Sequence, residues 1–317
     1  MKLSVILPCY NGEDTLAVQL EALANQQWSG SWELIFVNNG STDQSVEIAE
    51  SYRDRFPELR IVNAYTPPGP RLGVPHSYNV GIKAATGDAF VFCESDDEVG
   101  YGWLMAMGQA LLEHEFIAAR IDYRKLNQPW LWTMDSDAYH QETELAPCPV
   151  PPHLPYARGC TFGMRRSVYE ELGELNTGFP CSVDTEYCWR AHQAGIPIRL
   201  VPEAVIHYRL RHNFKAMYKQ GRTWGKDFMR LCRRYQSKNH LGDFAALRLI
   251  LRIPKSLLKG AWLYWQMLMK VPGSRTRYAR WIWMLGYGVG ELQGIFAPVE
   301  EIRAQINVNT PSAVSSH

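Results

Sequence analysis

The stretch Phe90-Val-Phe-Cys-Glu-Ser-Asp-Asp-Glu98 joins a short apolar run to a cluster of acids. Buried strands read as continuous apolar runs, and in α/β sheets ligands sit beyond the carboxyl ends of strands. Carboxylates crowded at such an end repel one another unless something positive arrives. A divalent cation carrying phosphate oxygens would answer that need, because hard cations take oxygen ligands. A solvated turn leading into the next helix is the alternative reading of the same residues.

The elements that would position these acids can be read along the chain. Leu3 to Leu7 reads as a strand, stopped by the turn residues Pro8-Cys9-Tyr10-Asn11-Gly12. Glu13 to Gln27 reads as a helix with Leu16, Leu20 and Leu23 on one face. A strand from Leu34 to Val37, a helix from Gln44 to Phe56 and a strand from Arg60 to Asn63 follow. After the loop Thr66 to Gly73, His76 to Ala85 is expected to be helical and Ala89 to Cys93 to be the next strand. Strand and helix thus alternate as in a parallel sheet with helices on both faces. Further on, Arg166 to Leu172 and Thr185 to Ala194 read as helices, Ile198 to Val201 and Ala204 to Tyr208 as short strands. The segment Asn127 to Arg158, rich in Pro, Trp and acids, has no clear period, and such long loops tend to carry function.

Three strand ends then point the same way: Pro8-Cys9-Tyr10-Asn11, Asn38-Asn39-Gly40-Ser41-Thr42-Asp43, and Glu94-Ser95-Asp96. Each supplies polar groups where a nucleotide would lie. No GxGxxG follows the first strand, which argues against a dinucleotide dehydrogenase, and no GxxxxGK[ST] phosphate loop is present. Nor is there the glycine-rich loop of a sugar nucleotidyltransferase.

With those residues in place, the chain resembles a family-2 glycosyltransferase of the GT-A fold. The matching pieces are Val5-Ile-Leu-Pro-Cys-Tyr-Asn-Gly12, Phe36-Val-Asn-Asn-Gly-Ser-Thr-Asp43, Asn79 to Asp88, Phe92-Cys-Glu-Ser-Asp-Asp97, Val183-Asp-Thr-Glu-Tyr-Cys-Trp-Arg190 and Val201 to His207. The resemblance implies a Rossmann-like three-layer α/β/α sandwich over residues 1–211. A helical C-terminal appendage would occupy 212–306, and a disordered tail 307–317. It implies metal-dependent, inverting transfer of a sugar from a UDP- or GDP-type donor to a hydroxyl of a glycan or lipid-linked acceptor. A degenerate relative that binds nucleotide sugar without turnover is the alternative.

The same resemblance assigns the site. Pro8, Tyr10 and Asn11 would line base and ribose. Asn39 stands where the family usually has an Asp at the base edge, and Asn can donate as well as accept. Asp43 is either a ligand contact or a helix cap, and Asp88 is structural or ribose-side. Arg71 would pair with phosphate. Glu94 and Ser95 would face the ribose. Asp96 would hold Mn²⁺ or Mg²⁺, with His207 completing the metal site, and the cation would help the diphosphate leave. Asp184 would be the general base, with Glu186 its rival and Val183 in place of the family's usual Glu. Arg190 would hold the acid pair or the diphosphate. Trp130, Trp132, Tyr139 and Tyr156 could stack on an acceptor sugar, whereas Trp189 reads as core.

Composition sets outer bounds. Apolar content of 46% and charged content of 21% are ordinary for a globular protein, and a net charge of +1 argues against nucleic acid as a partner. The seven cysteines contain no CxxC pair, which suits a reducing compartment. Met1-Lys2 runs straight into a strand pattern and no apolar run reaches the roughly 18 residues of a membrane span. The expected location is therefore the cytoplasm, or the inner face of a membrane as a peripheral protein. Helices are expected from Pro254 and from Ser274, with Arg248, Arg252, Lys255, Lys259, Lys270, Arg275, Arg277 and Arg280 decorating them. Basic, aromatic helices suit an anionic membrane surface. A hairpin packed on the catalytic domain, or a homodimer interface, would give the same pattern.

Overall fold

The structure, a computed structural model, describes residues 1–133, 141, 143–145, 147–148, 152–235 and 243–297, the side chains of 243–254 excepted. Tyr139 and the expected tail 307–317 lie outside the described residues. The strands β1 (Leu3–Cys9), β2 (Trp32–Asn38), β3 (Leu59–Asn63) and β4 (Ala89–Phe92) alternate with α1 (Leu16–Ala24), α2 (Ser45–Ser51) and α3 (Val74–Ala84). Then come β5 (Glu98–Val99), α4 (Trp103–Glu113), β6 (Phe116–Asp122), β7 (Phe162–Arg165), α5 (Arg166–Leu172), α6 (Val183–Gln193) and β8 (Ile198–His207). The long helices α7 (Phe214–Tyr235), α8 (Asp243–Leu268) and α9 (Ser274–Ile295) close the described chain.

The strands form one sheet in the order β3-β2-β1-β4-β7-β6-β8-β5. β1 is buried along its whole length, as is β4, which fits their unbroken apolar sequences. Leu3, Val5 and Leu7 of β1 pack toward α1, α2 and α4, and Ile6 packs toward α3, α5 and α6. The result is the expected three-layer sandwich. Asp88 sits at the end of the sheet away from the acidic cluster, where its Oδ2 accepts the Lys2 N–H at 2.7 Å. That contact makes it structural.

The parallel arrangement expected up to β4 holds for β3, β2, β1 and β4, and beyond it the sheet becomes mixed, because β7 is antiparallel to both β4 and β6. Because Val91 pairs with Gly163 and Ala89 with Arg165, β7 starts at the end where β4 stops. The residues just before β7, Arg158 to Thr161, are thereby laid beside the acids that follow β4. The sheet corrects one expectation, that of two short strands on either side of Pro202. They form one strand, because the register with β6 jumps from Ala119↔Val201 to Arg120↔Val205 and lets Pro202 bulge out. A proline lacks the N–H a ladder needs, so a bulge is where it can stay.

The C-terminal helices also differ from expectation. α8 starts at Asp243, well before Pro254. α7 and α9 approach so closely that their backbones meet at glycines. A Cβ on Gly225 would lie 2.1 Å from the Tyr287 carbonyl oxygen, and one on Gly290 2.1 Å from that of Arg222. Gly221, Gly286 and Gly294 make the same close approach. Small residues every four positions allow two backbones to touch, and any added carbon meets backbone that cannot rotate aside. Gly225→Ala is therefore expected to lower stability by about 1–3 kcal/mol in denaturant titration. Gly288→Ala, whose Cβ would meet open space, should be neutral or raise stability by up to ~1 kcal/mol. Equal effects of the two substitutions would refute the backbone contact.

Candidate active site

The loops after β1 and β2 are stitched into one wall. Asn11 takes a left-handed conformation with φ 48°, which Asn tolerates better than most residues. Its Oδ1 accepts the Thr42 N–H at 2.9 Å, and its own N–H donates to Ser41 Oγ at 3.1 Å. The Gly12 N–H donates to Ser45 Oγ at 2.8 Å. Asp43 accepts from Glu13 N, Ser45 N and Ser45 Oγ. Burial pushes its carboxyl up, but the hydrogen bonds of Ser45 and Glu13 outweigh this and hold it below the usual range. Asp43 is thus spent on the loop, in line with the structural reading of that residue.

Asn39 ties in a third loop, because its Nδ2 donates to Leu72 O at 2.9 Å. Its Oδ1 is buried and has no partner among the described residues. With the donor group committed, the atom left without a partner is an acceptor. Arg71 lies over the Tyr10 ring, its guanidinium carbon 3.4 Å from the centroid. Tyr10 itself is 45% exposed at the mouth of a cleft of about 710 Å³. The cleft is lined by Pro8 to Gly12, Asn39, Ser77, Glu94 to Asp96 and, from beyond β8, Arg209 to Asn213 and Ala216. Of the expected substrate contacts, Pro8, Tyr10, Asn11, Asn39, Glu94, Ser95 and Asp96 therefore share one cavity.

Carboxylates crowd the floor of this cleft. Burial and then the Asp96 charge push Glu94 up to about 8, with Asp184 adding to the rise and Arg211 and Arg158 opposing it. Asp97 is 1% exposed, and burial, then Asp96 and Glu94, push it well above its ordinary value. Its Oδ1 accepts the Arg209 N–H at 2.8 Å, while Oδ2 is buried with no partner among the described residues. Glu94, Asp97 and Cys160 bring their ligand atoms within 4.8 Å of one another. Burial also pushes the Cys160 thiol far up, so it stays protonated and offers little to a hard cation. Asp96 meets Arg211, with Nη1 3.2 Å from Oδ2.

Asp184 stands in the first turn of α6, where the helix N-terminus favours an anion. Its Oδ1 accepts the Thr185 N–H at 2.7 Å and its Oδ2 the Gly159 N–H at 3.3 Å. Burial raises its pKa, and those two N–H groups and Arg158 restrain the rise. Its rival Glu186 is buried at 4% exposure and paired with Arg190 at 2.9 Å.

Four predicted site residues are absent from the cleft lining: Arg71, which lies over the Tyr10 ring, Asp184, Arg190 and His207. Arg190 donates to the carbonyls of Leu172 and Glu174 as well as to Glu186, so it braces α6 against the turn after α5 and does not line the cleft. It holds Glu186 but reaches no diphosphate position. His207 pairs its Nδ1 with Asp122 Oδ2 at 2.7 Å, on the strand next to its own, and is likewise absent from the cleft lining. The Glu94–Asp97–Cys160 group does not include it. Trp189 is core, as read, packed edge-on against Tyr235. Tyr156 is half-buried against the same core. Trp130 lies under Arg275, and Trp132 is 39% exposed.

Three contributors were missed. Arg158 reaches the acids because β7 runs backwards, a pairing no local pattern reveals. The run Arg209-Leu-Arg-His-Asn213 was visible as clustered cations after a strand. Asp227, deep in α7, carried no signal. Its Oδ2 accepts the N–H groups of Cys181 and Ser182, at 2.8 and 2.9 Å, just before the helix that bears Asp184. Arg230 pairs with its other oxygen at 3.2 Å, and both side chains are buried.

The family model for glycosyl transferase family 2 matches residues 4–173. The chain belongs to this family. Among curated relatives, the glycosyltransferase YibD of Escherichia coli is 36% identical over 136 residues, which are 41% of this chain and 37% of that one. The matches to the first curated relatives span only 16 to 37% of their lengths. Among solved structures, residues 1–349 of Staphylococcus aureus TarS in complex with UDP-GlcNAc superpose with a TM-score of 0.51 at 20% identity, over 92% of this chain and 90% of that one. A mannosyltransferase from Pyrobaculum calidifontis, in complex with GDP-Man and Mn²⁺, gives 0.59 at 16% identity, over 92% and 86%. At such identities these two structures speak for the GT-A fold.

Removing the Asp227 carboxylate orphans two N–H groups and a buried guanidinium. Asp227→Ala should cost about 3–5 kcal/mol of stability. Asp227→Asn keeps an acceptor and should retain more. Burial, the largest influence, pushes Asp227 from 3.8 up to about 6. The folded state therefore holds this proton more tightly than the unfolded chain, and the stabilising contribution is lost as pH rises between those values. The stability of the wild type relative to Asp227→Asn should fall across that window in urea titrations; a flat difference would contradict the buried carboxylate.

Proposed function

We propose that the chain transfers a sugar, with inversion at the anomeric carbon, from a UDP- or GDP-type donor to a hydroxyl of a glycan or lipid-linked acceptor. Asp184 serves as general base. The observation that carries this reading is the placement of Asp184: a carboxylate at a helix N-terminus, raised by burial, and close enough to Glu94 for the two charges to interact. A base with a raised pKa is better matched to taking a proton near neutral pH.

The nucleotide would lie against Pro8, Tyr10 and Asn11, with the acceptor oxygen of Asn39 toward the base edge. Arg71 at the rim and Arg211 in the cleft are the cations available to phosphate. The donor set fits a hard divalent cation: Glu94 and Asp96 carry carboxylates in the cleft, and Asp97 has an unpartnered oxygen behind them. Those residues would hold Mn²⁺ or Mg²⁺, which would neutralise charge on the diphosphate. Asp184 takes the proton of the acceptor hydroxyl as that oxygen attacks the anomeric carbon. The bond to the diphosphate breaks in the same displacement, and the sugar emerges with opposite configuration.

Asp184→Asn is expected to lower transfer by about 10²–10⁴-fold while leaving nucleotide binding intact. The acid limb of the wild-type profile should lie above the usual carboxylate range, because the base must be ionised and its pKa is raised. Product configuration by NMR checks the stereochemistry. A retained anomer, full activity in Asp184→Asn, or nucleotide-sugar binding without transfer to any hydroxyl would overturn the proposal.

A further inference from the structure

α8 turns its polarity inside out. Its inner side carries Leu263, buried, and two small residues at α9: a Cβ on Gly260 would lie 2.0 Å from the Trp281 ring, and Trp281 Nε1 donates to Ser256 O at 2.9 Å, while Tyr264 at the edge meets Tyr278. The opposite side carries most of the large apolar residues. Leu258 is 74% exposed, Trp265 57%, Leu268 59% and Met269 61%, with Leu257 and Trp262 also more than half exposed. At 100° per residue, these six fall within one continuous sector. A contiguous apolar surface of this kind marks an interaction site.

The charges around that sector choose the occupant. Lys255, Lys259 and Lys270, all exposed, follow one another along one border of the sector. Arg275 and Arg277 are exposed just beyond, at the start of α9. Between residues 243 and 297 the sequence contains eight Lys and Arg against two acids, Asp243 and Glu291. No helix among the described residues is long and apolar enough to cross a membrane. An apolar face with Trp at its middle and lysines on its border is the pattern of a helix lying in a bilayer interface. We infer that α8 lies flat on an anionic phospholipid surface, its Leu and Trp side chains in the acyl boundary and its lysines against the headgroups. The inference is independent of glycosyl transfer, since none of these residues lines the cleft.

Flotation of the full chain with phosphatidylcholine vesicles, with and without phosphatidylglycerol, tests this. The wild type should float with the anionic vesicles and much less with the neutral ones. The exposed double variant Leu258→Glu/Trp265→Glu should bind at least about tenfold more weakly. Its melting temperature and nucleotide binding should be unchanged. Lys255→Gln/Lys259→Gln/Lys270→Gln should lose binding to anionic vesicles selectively. Failure of the wild type to float with anionic vesicles would overturn the inference, as would undiminished flotation of the Glu variant. A wild-type dimer that does not float, and that Leu258→Glu/Trp265→Glu converts to monomer, would reassign the face to a second copy of the chain.

Discussion

Carboxylates gathered at and behind one cleft set the terms for the rest of the molecule: Glu94 and Asp96 line it, and the buried Asp97 and Asp184 lie close by. Burial raises Glu94, Asp97 and Asp184, and the neighbouring charge of Asp96 raises Glu94 and Asp97 further. Left alone, such a cluster would stay protonated or force the cleft open. The fold answers with positive groups drawn from far along the chain. Arg158 arrives because β7 enters the sheet from the cleft end. Arg209 and Arg211 arrive because β8 ends there, and Arg209 adds a backbone N–H to Asp97. The N-terminus of α6 supplies its dipole to Asp184. None of these compensations saturates the cluster, since Glu94 remains high and Asp97 Oδ2 has no partner among the described residues. That residual imbalance is what supports the proposal of a divalent cation at the cleft.

The position of Asp184 rests on residues beyond the family-model match. The turn before α6 is held by Asp227 of α7, and α7 is held in turn by its glycine contacts with α9. The division expected at residue 211 cuts through this arrangement, for Arg211 to Asn213 and Ala216 line the same cleft as Tyr10 and Asn11. Asp184 and the wall made by the loops after β1 and β2 are thus secured by different parts of the chain.

How much of this was legible follows from the range of the interactions. β1, β2 and β4 announce themselves because each is buried on both faces and reads as an apolar run. The turns that follow them end in polar groups with few other reasons to be there, so Pro8 to Asn11, Asn39 and Glu94 to Asp96 could be named together. Asp184 was reached through a family pattern and by no spacing rule. That the partners of Arg190 and His207 were not foreseen has one cause. Both neighbour acids in sequence or motif, but their partners, the Leu172 and Glu174 carbonyls and Asp122, come from elements whose pairing the sequence does not display. Arg158 and Asp227 went unseen for the same reason. A cation beside a reversed strand, and a carboxylate in the middle of a helix, have no local signature.

The C-terminal helices show how one packing choice imposes another. Glycine contacts draw α7 and α9 together backbone to backbone, and the aromatic pairs Trp224–Trp283 and Phe228–Tyr287 pack beside those contacts. α8 then meets α9 with Ser256 and Gly260 against Trp281, and Tyr264 against Tyr278. Leu263 is buried, but most of its other bulky side chains are turned outward. In a helix meant only to pack on the catalytic domain, the pattern would be reversed, with Leu and Trp inside and Ser and Gly outside. Exposed leucines and tryptophans oppose solubility unless something covers them. The sequence nevertheless keeps them in one sector and borders it with lysines, so the helix is ordered by its small face and left its apolar face for a different surface.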